Sequence, residues 1–388
     1  MAVPIPPKHP AVVVVASRAP LEIMEVDTIP PIADEALIHV ECIGSTPLSL
    51  HQADGGLLIS PPHIMSGCFA GTIVQLGALE DPALSEASRS LQIGDKVFGF
   101  TWQGNKQRPM QTYITVPVYL LGKVPAHVSM QEAVTVPSNF CTAMHTITKD
   151  LDLELPWPLP EGWTPTEANK PILIWGAASS VGQYAVQVLR YWGYQNILAV
   201  ASGKNHALLE EFGAAACFDY RQNDVVEKIL VHVSSSTPGP RLPYIIDCIG
   251  SLEGTLVPLS KVAEKGTKVA IMLPVIMSHA SSTEAPVYEM DAGKVLVGKW
   301  EEGVERRGVR THFYPDNEFF RCHLQPDIMP AMLEKGFMQP NRRRIVEGKT
   351  LLERAERALS LLRDSVGLQY PSIQSTFIVR PVVAYNVT

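Results

Sequence analysis

The fold is decided by the stretch Ile172-Leu-Ile-Trp-Gly-Ala-Ala-Ser-Ser-Val-Gly182. Its apolar half predicts a strand, and the half that follows predicts a turn opening into a helix. Such a glycine turn lets strand and helix approach closely and presents N–H groups at the helix N-terminus to a pyrophosphate. Alanine replaces the middle glycine of the G-x-G-x-x-G pattern, so the loop by itself is weak evidence for a nucleotide site. The residues predicted to contact the nucleotide are Gly176, Ala178, Ser179, Ser180, Val181 and Gly182.

From this stretch onward, short apolar segments alternate with helical segments. The predicted strands are 171–175, 196–201, 216–220, 244–249, 267–273 and 294–299, and the predicted helices are 181–192, 206–212 and 224–233. Nearly continuous apolar strands separated by amphipathic helices indicate a parallel sheet covered on both faces. We therefore predict an α/β, doubly wound dinucleotide fold with a six-stranded parallel sheet, in which the glycine turn occupies the first strand–helix junction.

The end of the second predicted strand selects between the two nicotinamide dinucleotides. Selection of NAD needs an Asp or Glu there, which accepts a hydrogen bond from the ribose 2′-hydroxyl. Residues 199–205 contain no carboxylate, whereas Ser202 can donate to a 2′-phosphate and Lys204 can pair with it. The phenol of Tyr220, at the end of the third predicted strand, can reach the same phosphate. This pattern predicts NADPH as the cofactor, and a plain solvated lysine is the alternative interpretation of Lys204.

Two further turns are expected at the nicotinamide end of the site. Ligands of open parallel sheets bind at the carboxyl ends of the strands. The fourth predicted strand ends in Asp247-Cys-Ile-Gly250, and the fifth ends in Leu273-Pro274. We therefore expect Ile249, Gly250 and Leu273 to contact the cofactor.

The chain before residue ~140 and the C-terminal tail do not show this alternation of strands and helices. Short β-segments with turn residues close by predict an antiparallel barrel-like or sandwich lobe, with no helix of useful length among them. These segments are 11–16, 36–42, 71–76, 96–100 and 111–116. Five prolines in 156–171 predict a surface excursion between lobes. In the tail we predict a helix at 351–366 and a strand at 376–383 that returns to the first lobe.

Composition restricts the class of protein. The 388 residues predict two to three domains, and 46% hydrophobic with 18% charged residues is a globular balance. A net charge of −7 without a basic block argues against a nucleic-acid partner. The six cysteines lack metal-finger spacing, and we find no secretory signal and no apolar run that could span a membrane. We expect a cytoplasmic protein.

The chain resembles the medium-chain dehydrogenase/reductase (MDR) superfamily over nearly its whole length. The matching motifs are Gly94-Asp-Lys-Val-Phe-Gly99, Pro137 with Thr142-Ala143, the Ala-Ala-Ser-Ser-Val-Gly loop, and Phe377-Ile-Val-Arg-Pro381. The resemblance implies a GroES-like catalytic domain from residues 1–142 and 313–388, and a Rossmann NADP-binding domain from residues 143–312.

Zinc divides this superfamily, and the sequence predicts a zinc-independent member. Zinc members carry Gly-His-Glu in the first lobe and a four-cysteine cluster further on, whereas this chain has Gly67-Cys-Phe-Ala-Gly71. No close set of four ligands exists for a structural zinc. A catalytic zinc would need Cys42, Cys68 and a distant histidine, an assembly that we disfavour.

Within the zinc-free branch, the Leu155-Pro-Trp-Pro insert resembles fungal trans-acting enoyl reductases and their CipB-like relatives. That group commonly shows Asn-Pro-x-Asp-Trp-Lys where this chain has Thr46-Pro-Leu-Ser-Leu-His51. His51 is the first candidate for a proton donor, with a structural histidine in a loop as the alternative. Thr142 matches the family position beside the nicotinamide, with a helix N-cap as the alternative. Weaker candidates are Tyr113 and His145.

Three hypotheses remain open at this point. The first is an NADPH-dependent enoyl or enone reductase, plausible in fungal secondary metabolism, acting on a small-molecule or carrier-bound unsaturated carbonyl. The second is a quinone oxidoreductase, which needs a flatter aromatic slot. The third is a protein that binds NADPH without turnover, which the Ser49 and His51 departures keep open. We expect no membrane partner and a monomer or homodimer.

Overall fold

The computed structural model describes residues 4–233, 239–280, 283–367 and 376–379. The described chain divides into two compact units. Unit 1 contains the residues up to Ser138 and those from Pro315 onward, and unit 2 spans Asn139–Tyr314. The domain boundaries expected from the sequence, at 142/143 and 312/313, stay a prediction; the compact units divide a few residues away.

The N-terminal part is rich in strands. The strands β1 to β8 are Lys8–Val14, Glu22–Asp27, Glu35–Ser45, His63–Ile64, Gly67–Leu76, Lys96–Thr101, Tyr113–Pro117 and Gly122–Lys123. The helices α1 to α5 are Pro47–Gly55, Glu86–Arg89, Gly104–Gln107, Met130–Ala133 and Pro137–His145. Strand β3 pairs antiparallel with β5 on one side and with β7 on the other, so it is the centre of this sheet. Strands β2, β1 and β4 form a smaller sheet.

Helix α1 corrects the expectation that no useful helix lies in this part of the chain. It is nine residues long and includes His51, so the loop position in the alternative interpretation of His51 is wrong. Its ends carry clear local signals, since Pro47 occupies the first turn and Gly56 caps the C-terminus. The segment lacks an apolar periodicity, so the hydrophobic pattern does not reveal this helix.

Unit 2 contains the alternating strands and helices. The strands β9 to β16 are Ile172–Trp175, Ile197–Val200, Ala216–Phe218, Tyr244–Asp247, Lys268–Met272, Val275–Ser278, Val287–Glu289 and Glu305–Val309. The helices α6 to α9 are Ser180–Tyr191, His206–Phe212, Val225–His232 and Val257–Leu259. Within the described residues, a six-stranded sheet runs in the order β11-β10-β9-β12-β13-β16, and all of its pairings are parallel. The predicted doubly wound α/β fold is confirmed.

The sixth strand is not the one predicted. The apolar run 294–299 forms turns, and both Leu296 and Gly298 have positive φ, which a strand does not allow. Strand β16 at Glu305–Val309 takes the sheet position instead. It lies at the edge of the sheet and carries Glu305, Arg306 and Arg307, so its sequence lacks the apolar run typical of a central strand.

The tail returns to unit 1, as predicted. Its helices α10 to α12 are Glu318–His323, Met329–Glu334 and Leu351–Gly367, and its strands β17 and β18 are Arg343–Val346 and Thr376–Val379. Strand β18 pairs antiparallel with β3 and parallel with β17. Residues 380–383 of the predicted strand lie outside the described residues. Apolar side chains of α12, including Leu351, Ala355 and Leu359, pack into the same core as β1, β3 and β5.

Among the helices that the structure describes, none combines the length and the apolar character needed to cross a bilayer.

The Asp247 carboxyl group is fully buried at the end of β12. Its Oδ1 accepts the N–H groups of Ile249 (3.0 Å) and Gly250 (3.1 Å), and its Oδ2 accepts the Thr255 hydroxyl at 2.7 Å. Burial raises the pKa of Asp247 to about 6, although these three hydrogen bonds oppose the rise. The carboxyl group therefore fixes the turn after β12 while it carries its charge in the protein interior.

We expect Asp247→Asn to flatten the pH dependence of stability between about pH 4 and pH 6. Because the pKa of Asp247 is raised in the folded state, the folded protein binds this proton more tightly than the unfolded chain. Its contribution to the unfolding free energy is therefore fully present below about pH 4 and is lost as the pH rises to 6, by about 1–3 kcal/mol. Asparagine keeps an acceptor for the two N–H groups but does not ionise. Urea titrations of both proteins from pH 4 to 7 measure the difference.

The control is Asp224→Asn, which changes an exposed carboxylate of the same unit. Equal pH slopes for the wild type and Asp247→Asn would show that Asp247 titrates alike in the folded and unfolded states, contrary to this assignment.

Candidate nucleotide site

The glycine loop is held against both neighbouring strands of β9. The N–H groups of Gly176 and Ala177 each donate to the carbonyl of Val200, at the end of β10, over 3.1 Å. On the other side, a Cβ at position 176 would lie 2.7 Å from Cγ1 of Ile249, and Gly176 has a φ of 76°. Only glycine fits both requirements. Two residues predicted from different segments, Gly176 and Ile249, are therefore in direct contact.

The loop opens into α6 with a complete N-terminal cap. Ser179 is the N-cap residue, and its hydroxyl accepts the N–H of Gly182 at 3.1 Å. A Cβ at Gly182 would lie 2.6 Å from the Gly176 carbonyl oxygen, so the glycine lets the first turn of α6 pack onto the loop. Ala178 follows the strand without disturbing this arrangement and is 7% exposed. Ser180 and Val181 form the first turn of a twelve-residue helix, whose N-terminus favours an anion.

Two of the residues predicted to select the cofactor, Ser202 and Lys204, lie in the turn after β10. Lys204 lies in a short helical turn, Gly203–Asn205, and its side chain is exposed. The Ser202 hydroxyl is buried and accepts a hydrogen bond from the Asn205 amide at 3.0 Å. Tyr220 follows β11, which pairs with β10 in parallel, so both turns lie at the same carboxyl edge of the sheet. The N–H of Ala201 donates to Phe218 and continues that pairing.

A carboxylate that the sequence analysis missed reaches this turn from the third strand. Asp219 Oδ2 accepts the N–H of Gly203 at 2.9 Å. The Arg221 guanidinium binds both carboxylate oxygens of Asp219, with Nε–Oδ1 at 2.9 Å and Nη2–Oδ2 at 2.5 Å. These hydrogen bonds, those of Arg221 foremost, hold the pKa of Asp219 well below its usual range and raise that of Arg221. The spacing Asp-Tyr-Arg after an apolar strand is the one signal that the sequence offered.

The remaining predicted cofactor contacts also lie at the carboxyl edge. Gly250 follows β12, where its N–H is held by Asp247. Leu273 follows β13 and packs on Gly308 of β16. Thr142 lies inside α5, which begins at Pro137, so it is not the helix N-cap that the alternative interpretation required. Its hydroxyl is 2.9 Å from the Thr311 hydroxyl, which follows β16 and which the sequence analysis did not single out.

The proton-donor candidates occupy different settings. His51 is a half-buried residue of α1 in unit 1, and Ser49 lies on the same helix. Tyr113, also in unit 1, has its ring centroid 5.4 Å from that of His9 and 5.3 Å from that of His39. Burial raises the pKa of Tyr113. His145 is the last residue of α5, in unit 2, and is 7% exposed.

Cys68 stands where zinc members of the superfamily carry histidine. Its thiol donates to the Ser138 hydroxyl at 3.1 Å and accepts the Ser138 N–H at 3.3 Å. Burial raises the pKa of the Cys68 thiol to about 11, which disfavours the thiolate that a metal needs. Within the described ranges, no three His, Cys, Asp or Glu side chains are grouped so that they could hold a metal ion. The donor set around Cys68 therefore does not fit zinc.

Comparisons of sequence agree with this architecture. The family model "Alcohol dehydrogenase GroES-like domain" matches residues 32–146. The trans-enoyl reductase tazE of Aspergillus terreus is 30% identical over 228 residues, which are 58% of this chain and 72% of tazE. The uncharacterised protein YCR102C of Saccharomyces cerevisiae is 32% identical over 213 residues. That match covers 50% of this chain and only about half, 54%, of the yeast protein.

Solved structures share the fold over almost the full length. The CurK enoyl reductase superposes with a TM-score of 0.70 at 16% identity, covering 96% of this chain and 99% of that one. The quinone oxidoreductase of Coxiella burnetii gives 0.66 at 17% identity, covering 97% and 100%. The expected pairing of a GroES-like and a Rossmann fold is confirmed. By its identity to tazE over most of that relative, the chain belongs to the medium-chain dehydrogenase/reductase superfamily.

Proposed function

We propose that this protein is an NADPH-dependent, zinc-independent reductase that acts on a carbon–carbon double bond conjugated to a carbonyl group. The observation that carries the proposal is the carboxyl edge of the six-stranded sheet. There the glycine loop, the turn with Lys204 and the turn at Gly250 lie beside one another on neighbouring strands. NADPH needs three such groups side by side: N–H groups for the pyrophosphate, a cation for the 2′-phosphate and a turn that contacts the nicotinamide end.

The two loop glycines support the proposal through the packing of the loop itself. A Cβ at position 176 would meet Ile249 and one at position 182 would meet the loop backbone, so glycine at both positions keeps the turn tight at the N-terminus of α6. Lys204 and Ser202 are the proposed contacts to the 2′-phosphate, with Tyr220 beside them. When bound, NADPH supplies the hydride that is transferred to the β-carbon of the substrate. The NADPH preference rests on this turn, which carries an exposed ammonium group.

The chain's own groups have three tasks in this reaction. Thr142, positioned by the Thr311 hydroxyl at 2.9 Å, is proposed to donate a hydrogen bond to the nicotinamide ribose or amide. A donor near the substrate carbonyl lowers the barrier because negative charge develops on that oxygen. His51 is proposed to provide the proton that the α-carbon receives, since histidine exchanges protons near neutral pH.

The choice of an unsaturated carbonyl is supported by the relatives. The relative tazE is a trans-enoyl reductase, and a second fungal trans-enoyl reductase, thnE of Trichoderma harzianum, is matched over 90% of its length at 25% identity. The substitutions at Ser49 and His51 separate this chain from the pattern common in that group. For this reason the proposal names the class of substrate but neither its size nor its attachment to a carrier protein.

The decisive assay follows NADPH oxidation by the purified full chain with an enone, an acyl thioester of an enoic acid and a benzoquinone. Turnover of the enone or the thioester, with a saturated product by mass spectrometry, supports the proposal. Turnover of the quinone alone identifies a quinone oxidoreductase. Binding of NADPH without turnover of any of the three contradicts the reductase and favours a coenzyme-binding protein.

We expect Lys204→Ala to weaken NADPH binding by about tenfold and to leave NADH binding within about twofold. Only NADPH carries the 2′-phosphate that the ammonium group pairs with. Isothermal titration at two salt concentrations measures both dissociation constants. Lys265→Ala is the matched control, because it removes an exposed lysine that precedes β13 at the opposite edge of the sheet. If the ratio of the NADPH and NADH dissociation constants stays at the wild-type value, Lys204 does not contact the 2′-phosphate.

We expect His51→Ala to lower kcat for the enone about 100-fold or more, with the NADPH dissociation constant unchanged. Loss of a general acid lowers the rate of the catalysed step by about this factor or more. A solvent isotope effect that grows in the variant would report the slower proton transfer. His127→Ala, at an exposed position of the same unit, is the control. Unchanged kcat in His51→Ala would assign the proton to another donor.

A further inference from the structure

We propose that Asp219 and Arg221 form a masked acceptor for the ribose: Asp219 fixes the turn after β10, and Arg221 covers its carboxylate so that the turn takes NADPH rather than NADH. The inference rests on the proposed cofactor site and names the residues that would set its specificity. Both residues lie beyond β11, outside the segment in which a selecting carboxylate is expected from the sequence.

The position of Asp219 is the first argument. A carboxylate that accepts from the ribose 2′-hydroxyl selects NADH in dinucleotide folds, and it stands at the end of the second strand. Asp219 directly follows the third strand, yet its Oδ2 lies 2.9 Å from the Gly203 nitrogen, in the turn that follows the second strand. The parallel pairing of β10 with β11, in which Val200 lies opposite Phe218, brings it there. The carboxylate is thus in the place of an NADH selector.

The state of that carboxylate is the second argument. Oδ1 of Asp219 accepts the Arg221 backbone N–H at 3.0 Å and the Arg221 Nε–H at 2.9 Å. Oδ2 accepts the Arg221 Nη2–H in addition to the Gly203 N–H. Each oxygen is therefore engaged, and the charge is neutralised by a planar guanidinium in its preferred two-point geometry. A ribose hydroxyl finds no acceptor, and a 2′-phosphate meets no net negative charge.

The difference in exposure shows which partner can be removed without harm. The Asp219 side chain is only 11% exposed, whereas that of Arg221 is 58% exposed. A cost to folding is small at the exposed partner. Removing Arg221 leaves Asp219 on the Gly203 N–H and frees the lone pair that the guanidinium Nε–H now occupies. The bare carboxylate then repels the phosphate of NADPH and accepts from the hydroxyl of NADH.

The test measures dissociation constants for NADPH and NADH in the wild type, Arg221→Ala, Asp219→Asn and the double variant. For Arg221→Ala we expect NADPH to bind about tenfold or more weakly and NADH to bind as tightly as before or tighter. Asparagine at 219 keeps an acceptor for Gly203 and carries no charge, so the double variant returns the NADPH/NADH ratio to within about threefold of the wild type. Arg241→Ala, which removes a paired guanidinium before β12, is the control for total charge.

The outcomes separate a failure of this inference from a failure of the proposed function. A ratio unchanged in Arg221→Ala, in a wild type that binds NADPH, overturns the inference and leaves the proposed function standing. A shifted ratio that the double variant fails to restore also overturns it, because Arg221 then acts on the phosphate directly rather than through Asp219. A wild type that binds neither coenzyme refutes the proposed function itself. Circular dichroism of Arg221→Lys and Arg221→Ala shows that a shifted ratio belongs to a folded protein.

Discussion

The candidate site depends on the packing of the turn at Gly176, because this turn connects the carboxyl ends of three neighbouring strands. Two N–H groups of the turn share the Val200 carbonyl at the end of β10, and Ile249 after β12 fills the space that a side chain at 176 would occupy. Strand β9 lies between those two strands. A larger residue at 176 would therefore push the turns after β10 and β12 away from the glycine loop together, and the proposed phosphate and nicotinamide contacts with them.

Local charge, and not the charge of the chain, decides what that edge can bind. The protein carries seven more acidic than basic residues, yet the turn after β10 presents an exposed lysine and a carboxylate that an arginine already neutralises. Helix N-termini add partial positive charge close by, within the first turn of α6. A ligand with three phosphate groups is compatible with an acidic protein when the few groups within one Debye length of it are arranged in this way.

The sequence predicted unit 2 best where strands are buried on both faces. Strands β9, β10, β12 and β13 are short, apolar and largely buried, so composition and spacing were sufficient to find them; the half-buried edge strand β11 was found because its sequence is also apolar. Strand β16 failed the same criterion because an edge strand tolerates charge, and the apolar 294–299 run was mistaken for it. Asp219 was missed for another reason. Its contact with Gly203 spans sixteen residues and exists only through the pairing of β10 with β11, which no local pattern encodes.

The thiol at Cys68 limits the chemistry that the first lobe can offer. A zinc ligand is a thiolate, and burial, which raises the pKa of Cys68 to about 11, disfavours that form in the metal-free protein. Both of its hydrogen bonds go to Ser138, the second residue of α5, so the sulfur joins β5 to that helix. Under the proposed zinc-independent function, charge that develops on a substrate oxygen is met by N–H and O–H donors. Such donors suffice for a carbonyl already conjugated to a double bond, whereas an unactivated alcohol needs a stronger acid to release its hydride.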